Sequence, residues 1–418
     1  MHSSPRREAA RSLSSIAIVA AALAVAACAT PPSQPPAAQA ACPAIEKPVC
    51  PPAAAARPPI PPDTRGKLVA AAWNQLPDWG RDLGPSLQAF IRGCVALEKE
   101  PRWETVCVDA RSLPADASDR DVAAFFEQAF DVYRVLNADD SDSGLVTGYY
   151  EPLLHGSRAP SARYRYPLYA TPQDLLVIDL SSVYPDLKYR RLRGRIAPGN
   201  RVVPYLDRSA IDAGAAPLKG LEIAWVDDPV DLFFLHIQGS GQVELENGER
   251  IRVGYAEQNG HPFRSLARAL IDRGEIAPER ASMQAIKEWA RRNPQRVQEF
   301  LNTNPSYVFF RELPADLPGP LGSLGVPLTP ERSIAVDVRV VPLGSPVYLA
   351  TTWPNTDEPL IRLVVAQDTG GAIAGGVRAD FFWGFGDAAG AQAGRMRQPG
   401  RMWVLLPKGA AALTSPAR

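Results

Sequence analysis

The apolar positions of the chain follow two different periods. In the segment "DRDVAAFFEQAFDVYRVL", residues 119–136, apolar side chains recur at every third or fourth position: Val122, Phe126, Ala129, Tyr133 and Leu136. This spacing places them on one face of an amphipathic helix. It predicts that the chain is helical from about residue 64 to residue 136.

From "LVTGYYEP" onward the apolar runs are short, rich in aromatic and β-branched residues, and broken by Gly, Asp and Pro. Such runs are typical of antiparallel strands. We interpret "LEIAWVDDPVDLFFLHIQGSGQVELENGERIRVGY" in this way, with "NGE" as a hairpin turn. Two helices, "FRSLARALIDRG" and "SMQAIKEWARRNPQRVQEFLN", are then predicted. Strands resume with "SIAVDVRVV", "SPVYLATT", "LIRLVVAQD" and "RMWVLLP", and the proline-rich "ELPADLPGPLG" marks a boundary near residue 315.

The amino terminus has the pattern of a secretory signal. A basic start, "MHSSPRREAARSLSS", precedes the apolar run "IAIVAAALAVAA", which is too short to span a bilayer comfortably. The residues Val25 to Cys28 resemble the bacterial lipobox, whose cysteine is acylated when the signal is cleaved; the alternative is an ordinary signal peptide with a chance cysteine. Acylation of Cys28 would anchor the protein rather than make it span the membrane. Ala29, in place of an aspartate, resembles the sorting pattern for the outer membrane.

Residues 29–63 are dominated by Ala and Pro, so they cannot bury a core and indicate a semi-extended tether. Cys42 and Cys50 lie inside this tether, and their pairing is left open. Cys94 and Cys107 lie in the folded region, where an oxidising compartment favours a disulfide over two separate buried thiols.

Overall composition narrows the function classes. The chain has 418 residues, which predicts about two domains. Its 45 basic and 45 acidic residues cancel, so nucleic-acid binding is not indicated. Only four histidines are present, with no cluster of metal-ligand residues, so we expect neither a metal site nor a cofactor.

Three aspartates of the last region are predicted to stand at strand ends: Asp337 in "AVDVRV", Asp368 in "AQDTGG" and Asp380 in "RADFFWG". Each has a structural alternative, since Asp337 could face solvent and the other two could cap turns. Three carboxylates that converge at one mouth of a small barrel favour a site instead.

Carboxylates alone can cleave glycosidic bonds, provided that one of them is protonated by virtue of a raised pKa. Asp380 has the most apolar neighbours, Phe381, Phe382 and Trp383, so it is the better acid; equally, these aromatics could be core packing with the carboxylate pointing outward. The turn donors around Asp368 are expected to keep that group ionised.

A second polar cluster lies in the middle region. Gln238 and Ser240 fall in a Gly-interrupted predicted strand, and Asn259 and His261 fall on a loop. Such side chains suit a sugar-binding groove. The alternatives are a strand bulge for Gln238 and a helix-entry position for His261. "TGYYEP" adds Glu151 as a possible second carboxylate, although Pro152 beside it also fits a plain turn.

Taken together, "GYYEP", "HIQGSGQVEL", "YAEQNGHPFRSL", "NPSYVFFREL", "GVPLTPERSIAVD", "VVAQDTGGAIAGGVRADFFWG" and "GRMWVLLP" resemble the membrane-bound lytic transglycosylase A (MltA) family, and the last part resembles the three-aspartate (3D) domain. The resemblance covers roughly residues 64–408. One departure is "AIAGG", where many relatives have a polar residue at the position of Ala374.

The resemblance implies a mainly β fold with helices: a double-psi β-barrel domain formed by residues 64–148 and 313–418, with a β-barrel-like domain, 149–312, inserted. A groove between them would bind a peptidoglycan glycan strand. Asp380 would be the catalytic residue, supported by Asp368 and Asp337. The implied substrate-binding side chains are Thr147, Tyr149, Gln238, Ser240, Asn259 and His261.

The implied reaction cleaves the β-1,4 bond between N-acetylmuramic acid and N-acetylglucosamine without water and closes a 1,6-anhydro ring, with Asp380 acting first as acid and then as base. The resemblance further implies a monomer on the periplasmic side of the outer membrane, with wall-synthesis proteins as candidate partners. Two rival functions remain open: hydrolysis with Glu151, Asp368 or Asp387 activating water, and a non-catalytic glycan-binding scaffold.

Overall fold

The computed structural model describes residues 65–188, 190 and 192–409. The predicted signal peptide, Cys28, and the tether with Cys42 and Cys50 lie outside these residues. The strands within them are β1 Lys67–Ala71, β2 Phe130–Leu136, β3 Gly144–Glu151, β4 Leu153–Ser157, β5 Tyr166–Tyr169, β6 Leu176–Val177, β7 Arg193–Ala197, β8 Arg201–Pro204, β9 Glu222–Val226, β10 Ser240–Leu245, β11 Arg250–Gln258, β12 Val308–Leu313, β13 Ser333–Val336, β14 Pro346–Thr352, β15 Pro359–Asp368, β16 Arg378–Phe385 and β17 Arg397–Pro407. The α-helices are α1 Gly84–Leu97, α2 Pro101–Ser112, α3 Asp119–Ala129, α4 Arg208–Asp212, α5 Pro229–Gln238, α6 Leu266–Asp272, α7 Met283–Arg292, α8 Val297–Leu301 and α9 Gly386–Ala393.

Six strands close into a barrel in the order β3, β17, β14, β15, β13 and β16, with β16 returning to β3. The pairs β13–β15 and β16–β3 are parallel, and the other pairs are antiparallel. Alternate residues of each strand point inward and form one core, which includes Val146, Ile334, Phe381 and Trp383. The prediction of a mainly β fold with helices is confirmed, and the double-psi connectivity stays a prediction.

The first three helices pack on the outside of this barrel. Their apolar faces and the outward side chains of β15 and β17 form a second core, which includes Phe90, Trp103, Phe126, Leu363 and Leu405. A disulfide between Cys94 and Cys107 joins α1 to α2, with 5.5 Å between their Cα atoms. The barrel therefore packs against apolar side chains on both sides: one core fills its interior, and the other lies between its outer surface and the helices.

The prediction that the chain is helical from residue 64 to residue 136 is wrong at both ends. Lys67–Ala71 is the strand β1, and the helix predicted over residues 119–136 is wrong in its second half. The helix α3 ends at Ala129, and residues 130–136 form β2, which pairs with β1 and β17. Phe130 and Val132 enter the helix-side core, whereas Tyr133 and Val135 enter the barrel core. Because β2 sends apolar side chains to both of its faces, its apolar positions also fit a helical period.

The strands between β3 and β13 form two further sheets. One has the order β12-β11-β10-β4-β9-β5, and a small one has the order β6-β7-β8. The predicted hairpin is confirmed, because β10 and β11 pair antiparallel around a turn in which Gly248 has a φ of +81°. Helices α5 to α8 share an apolar core beside the larger sheet.

Two predictions in this middle region need correction. The segment "DPVDLFFLHIQG" is the helix α5, not a strand: the Asp228 carboxylate accepts the N–H groups of Val230 and Asp231, and Gly239 ends the helix at a φ of +77°. The helix predicted from "SMQAIKEWARRNPQRVQEFLN" is divided into α7 and α8, because Pro294 cannot continue the first one.

Among the described residues, no helix combines the length and the apolar composition needed to cross a membrane.

Candidate active site

Two of the three predicted aspartates lie on either side of one strand. Ala335 of β13 is paired with Asp368 of β15 on one edge and with Asp380 of β16 on the other. Ala335 belongs to a small apolar cluster on the outer surface of the barrel, together with Tyr149, Leu328, Ile373 and Phe382. The barrel register thus brings both carboxylates to one apolar surface, which we call the aspartate face.

Asp380 lies inside β16 rather than at a strand end, which corrects the expected placement. Because side chains alternate along a strand, Asp380 shares its side with Arg378 and Phe382, while Phe381 and Trp383 point into the barrel core. The hydroxyl of Thr147, opposite it on β3, donates a hydrogen bond of 2.6 Å to Asp380 Oδ1.

The pKa of Asp380 is raised to about 6, and burial is the largest cause. The Thr147 hydroxyl and the Arg378 guanidinium act in the opposite direction, since both stabilise the carboxylate form, and the nearby Asp368 carboxylate raises the pKa further. A carboxyl group with this pKa can hold a proton near neutral pH and can also release it.

Asp368 is held by several donors. The backbone N–H groups of Ser323 and Thr369 and the Ser323 hydroxyl donate to Oδ1, and the Tyr149 hydroxyl donates to Oδ2 over 3.1 Å. Burial nevertheless raises the pKa of Asp368, although these four bonds lower it in part. The expectation that turn donors favour the ionised form agrees with these four bonds, but it omitted burial, which acts against them.

Asp337 follows the end of β13 and makes a different set of contacts. Its carboxylate accepts hydrogen bonds from the Arg339 guanidinium and backbone, and from the backbone N–H of Gly375 over 2.9 Å. Burial raises the pKa of Asp337, but these donors outweigh burial, and the net pKa lies below the ordinary value. Gly375 has a φ of +122°, a conformation that favours glycine. Asp337 thus ties the loop 369–377 to the barrel.

The predicted sugar-binding residues lie in three places. Thr147 and Tyr149 lie on the aspartate face. Gln238 ends α5, not a strand, and its Oε1 accepts the N–H of Tyr150 over 3.1 Å. Ser240 is a buried residue at the start of β10.

Asn259 and His261 are not brought to the aspartates by any contact among the described residues. The Asn259 side chain is buried, and its amide bonds only to backbone groups of Leu206, His261, Pro305 and Tyr307. The His261 Nε2 lies 2.7 Å from the carbonyl of Tyr205. Asn259 therefore braces loops of the middle region, and its polar atoms are already occupied.

The carboxylates proposed for hydrolysis occupy other surroundings. Glu151 is fully buried beside Arg252 and Gln242. Asp387 is exposed in the first turn of α9.

The sequence interpretation missed Arg378, Ser323 and Arg339. The first could have been found, since it lies two residues before Asp380 and so shares its side of the strand. Within the described part of the chain, no group of three or more His, Cys, Asp or Glu residues could hold a metal ion.

Comparison with known proteins gives a consistent set of relatives. The model of the MltA specific insert domain matches residues 145–311, and the model of the 3D domain matches residues 332–406. Membrane-bound lytic murein transglycosylase A of Escherichia coli K12 is 32% identical over 282 residues, which cover 66% of this chain and 69% of that protein. The protein of the same name from Vibrio cholerae is 30% identical over 276 residues, 64% of this chain and 66% of that protein.

Solved structures agree. MltA from Neisseria gonorrhoeae in its monoclinic form superposes with a TM-score of 0.70 at 39% identity, covering 83% of this chain and 96% of that one. A membrane-bound lytic murein transglycosylase from Agrobacterium tumefaciens gives 0.72 at 32% identity, covering 84% and 100%. Escherichia coli MltA with bound chitohexaose gives 0.60 at 26% identity, covering 83% and 99%.

Proposed function

The chain belongs to the membrane-bound lytic murein transglycosylase A family, and we propose that it uses Asp380 as the one acid and base of its reaction. The enzyme class, a peptidoglycan lytic transglycosylase, follows from its relatives. The proposed bond is the β-1,4 link between N-acetylmuramic acid and N-acetylglucosamine, and the proposed product carries a 1,6-anhydro-N-acetylmuramic acid end.

The observation that carries this proposal is the setting of Asp380. The carboxyl is half-buried on an apolar surface, and its pKa is raised to about 6. Near that pH a large fraction of the enzyme holds the proton needed by the departing O4 of N-acetylglucosamine. As that bond breaks, positive charge develops at C1 of the muramoyl residue.

In the second half of the reaction Asp380 is a carboxylate. It removes the proton from the C6 hydroxyl of the same muramoyl residue, whose oxygen forms the new bond to C1 and closes the anhydro ring. The proton given in the first half is thereby recovered, and no water is consumed. Because the attacking hydroxyl is part of the substrate, its effective concentration is high, and no second carboxylate is needed to activate it.

The neighbours of Asp380 support both halves. Thr147 and Arg378 stabilise the carboxylate that forms after the first proton transfer. Asp368, bonded to Tyr149, places a second carboxyl where it can stabilise developing positive charge. Asp337 has a supporting role, because it fixes the loop between the other two aspartates.

The glycan strand is proposed to lie in a groove between the barrel and the inserted part of the chain. Two facts support this: the insert model and the 3D model match separate segments, and the structurally similar Escherichia coli protein holds chitohexaose. Residues 64–148 and 313–418 are proposed as one double-psi barrel domain and 149–312 as the inserted domain. Gln238 and Ser240 remain candidate substrate contacts from the insert side.

Relatives named as membrane-bound support an envelope location. The proposed means is a lipid on Cys28, with the Ala- and Pro-rich residues 29–63 as the tether and the outer membrane as the site of anchoring. Peptidoglycan is then within reach on the periplasmic side.

Product analysis tests the proposal. The chain without residues 1–28 is incubated with purified sacculi, beside the variant Asp380→Ala, and the products are identified by mass spectrometry. We expect anhydro-muropeptides from the wild type and none from the variant, while both still sediment with sacculi. Reducing-end muropeptides would instead indicate hydrolysis, and binding without cleavage by either protein would indicate a scaffold.

A further inference from the structure

Alternate residues of β3 form a row on the outer surface of the barrel. Thr147 bonds to Asp380, and Tyr149 bonds to Asp368. Glu151 is next in the row, since it lies two residues beyond Tyr149 on the same strand. The first two members thus hold the proposed catalytic residue and its neighbour, and the third has not been given a role.

Glu151 joins the barrel to the inserted part of the chain. Its side chain has no exposed surface, and its Oε1 lies 3.1 Å from Nε of Arg252, which is 11% exposed. Gln242 donates its side-chain amide to Glu151 Oε2 over 2.9 Å and its backbone N–H to the carbonyl of Pro152 over 2.8 Å. Gln242 and Arg252 belong to β10 and β11 of the larger middle sheet.

Arg252 also reaches the second connection between the two parts. The chain leaves the barrel at Glu151, at the end of β3, and starts its return after β12. The guanidinium donates to the carbonyl of Leu317, which lies in that return segment. One cation therefore links the outgoing and the returning segments at a single point.

This arrangement gives a physical path from the insert to the aspartates. A buried carboxylate paired with a guanidinium has little freedom to move, because each group would otherwise be left buried without a partner. Fixing Glu151 fixes the end of β3, and the register of β3 decides where the Thr147 hydroxyl lies relative to Asp380. Gln238 makes a second contact between the inserted part of the chain and β3, because its side-chain oxygen accepts a hydrogen bond from the N–H of Tyr150.

We propose that Glu151 and Arg252 are positioning residues, which set β3 so that Thr147 and Tyr149 hold Asp380 and Asp368 in their reactive geometry. The inference rests on the proposed function of Asp380. Neither residue touches the reacting atoms. The pair couples the placement of the insert, and so of one wall of the groove, to the placement of the acid.

The test compares Glu151→Gln with a matched control, Glu257→Gln. Glu257 pairs with Arg193 over 2.9 Å, and the two side chains are 15% and 12% exposed. It lies on the same strand as Arg252, and its carboxylate accepts further hydrogen bonds from Tyr255 and Gln258 of that strand. Both variants replace a carboxylate in a largely buried ion pair with an amide. The kinetics are followed with soluble glycan strands by release of anhydro ends, and folding is checked by thermal unfolding.

We expect Glu151→Gln to lower kcat roughly tenfold, since small misplacements of catalytic groups have large effects, and to change KM by about twofold or less. The alkaline limb of its pH profile should move to higher pH, because a weaker Thr147 bond no longer stabilises the Asp380 carboxylate. The other charged groups that act on Asp380, Arg378 and Asp368, are unchanged. Glu257→Gln should keep the wild-type kcat and the wild-type limb.

If Glu151→Gln does not fold, Arg252→Lys takes its place. This variant keeps the positive charge but loses the guanidinium that reaches both Glu151 and Leu317, and we expect kcat and the alkaline limb to change in the same direction. A folded variant with the wild-type kcat and the wild-type alkaline limb would overturn the inference. So would a fall in kcat that Glu257→Gln shows equally and that comes without a shift of the alkaline limb. A wild type that releases no anhydro ends would instead overturn the proposed function, and the positioning inference with it.

Discussion

Replacing Thr147 by valine removes one hydroxyl and leaves a side chain of nearly the same shape. In the wild type that hydroxyl donates to Asp380 Oδ1 at 2.6 Å, and the bond holds the pKa of Asp380 below the value that burial alone would give. Because the donor stabilises the charged form, its removal must raise the pKa. The pKa of Asp380 is therefore expected to be higher in Thr147→Val than in the wild type.

The size of the shift can be estimated. A hydrogen bond to a charged group contributes about 1.5–3 kcal/mol, and one pKa unit corresponds to about 1.4 kcal/mol. Because Asp380 is only half-buried, solvent will replace part of the lost bond, so the lower end applies. We expect the pKa to move from about 6 to about 7.

The assay is the initial rate of anhydro-end release from soluble glycan strands, at a series of pH values on both sides of the wild-type midpoint. Asp380 must be protonated to begin the reaction, so activity falls as the pH rises through its pKa. The Thr147→Val limb should lie about one unit higher than the wild-type limb, and Thr147→Ser, which keeps the donor, should follow the wild type. An unchanged limb, or one at lower pH, would refute the assignment of this limb to Asp380.

Three further predictions follow from the same contacts. Asp380→Asn should stabilise the fold above pH 6 by about 1–3 kcal/mol, because the wild type loses stability as the pH rises from the pKa of an unfolded aspartate, about 4, to the native pKa of about 6. Urea unfolding should show this gain at pH 8 and none at pH 4, and equal gains at both pH values would contradict the prediction. Replacing Cys94 and Cys107 by serine should lower the free energy of unfolding by about 3 kcal/mol, and an unchanged urea midpoint would argue against a stabilising bridge. Tyr149→Phe keeps the ring but loses the bond to Asp368, so kcat should fall by about tenfold with little change in KM; a change confined to KM would indicate a substrate contact instead.

Local patterns in the sequence were sufficient for some elements. The hairpin turn at Asn247 and Gly248 has the residues that such turns require, and the strand β14 has a clear β composition. The helix α5 was missed although Asp228 and Pro229 are a good helix start, because the apolar run that follows fits either a strand or a buried helix. Strand β2 was missed for the same reason.

The site shows where sequence adjacency misleads. Phe381 and Trp383 point into the barrel core, which agrees with the core-packing alternative left open for the aromatic residues beside Asp380. The apolar surface beside Asp380 includes Ala335 and Tyr149, which belong to other strands. Closure of the barrel places them there, and no pattern within one strand encodes that closure.

The raised pKa of Asp380 was expected, but for partly different causes. Burial against neighbouring strands outweighs the Thr147 hydrogen bond and the positive charge of Arg378, and only the parallel pairing of β16 with β3 brings Thr147 into reach. The resemblance of the sequence to a family suggested the catalytic role proposed for Asp380, while the pairing of β16 with β3 explains part of the setting that determines its pKa.

The central claim is that one aspartate acts as both acid and base and that the substrate itself supplies the nucleophile. Digestion of peptidoglycan in water enriched in oxygen-18, followed by mass spectrometry of the new ends, tests it most directly. The account predicts anhydro ends without label from the wild type and no new ends from Asp380→Asn. Labelled reducing ends from the wild type, or unlabelled anhydro ends from Asp380→Asn at the wild-type rate, would contradict it.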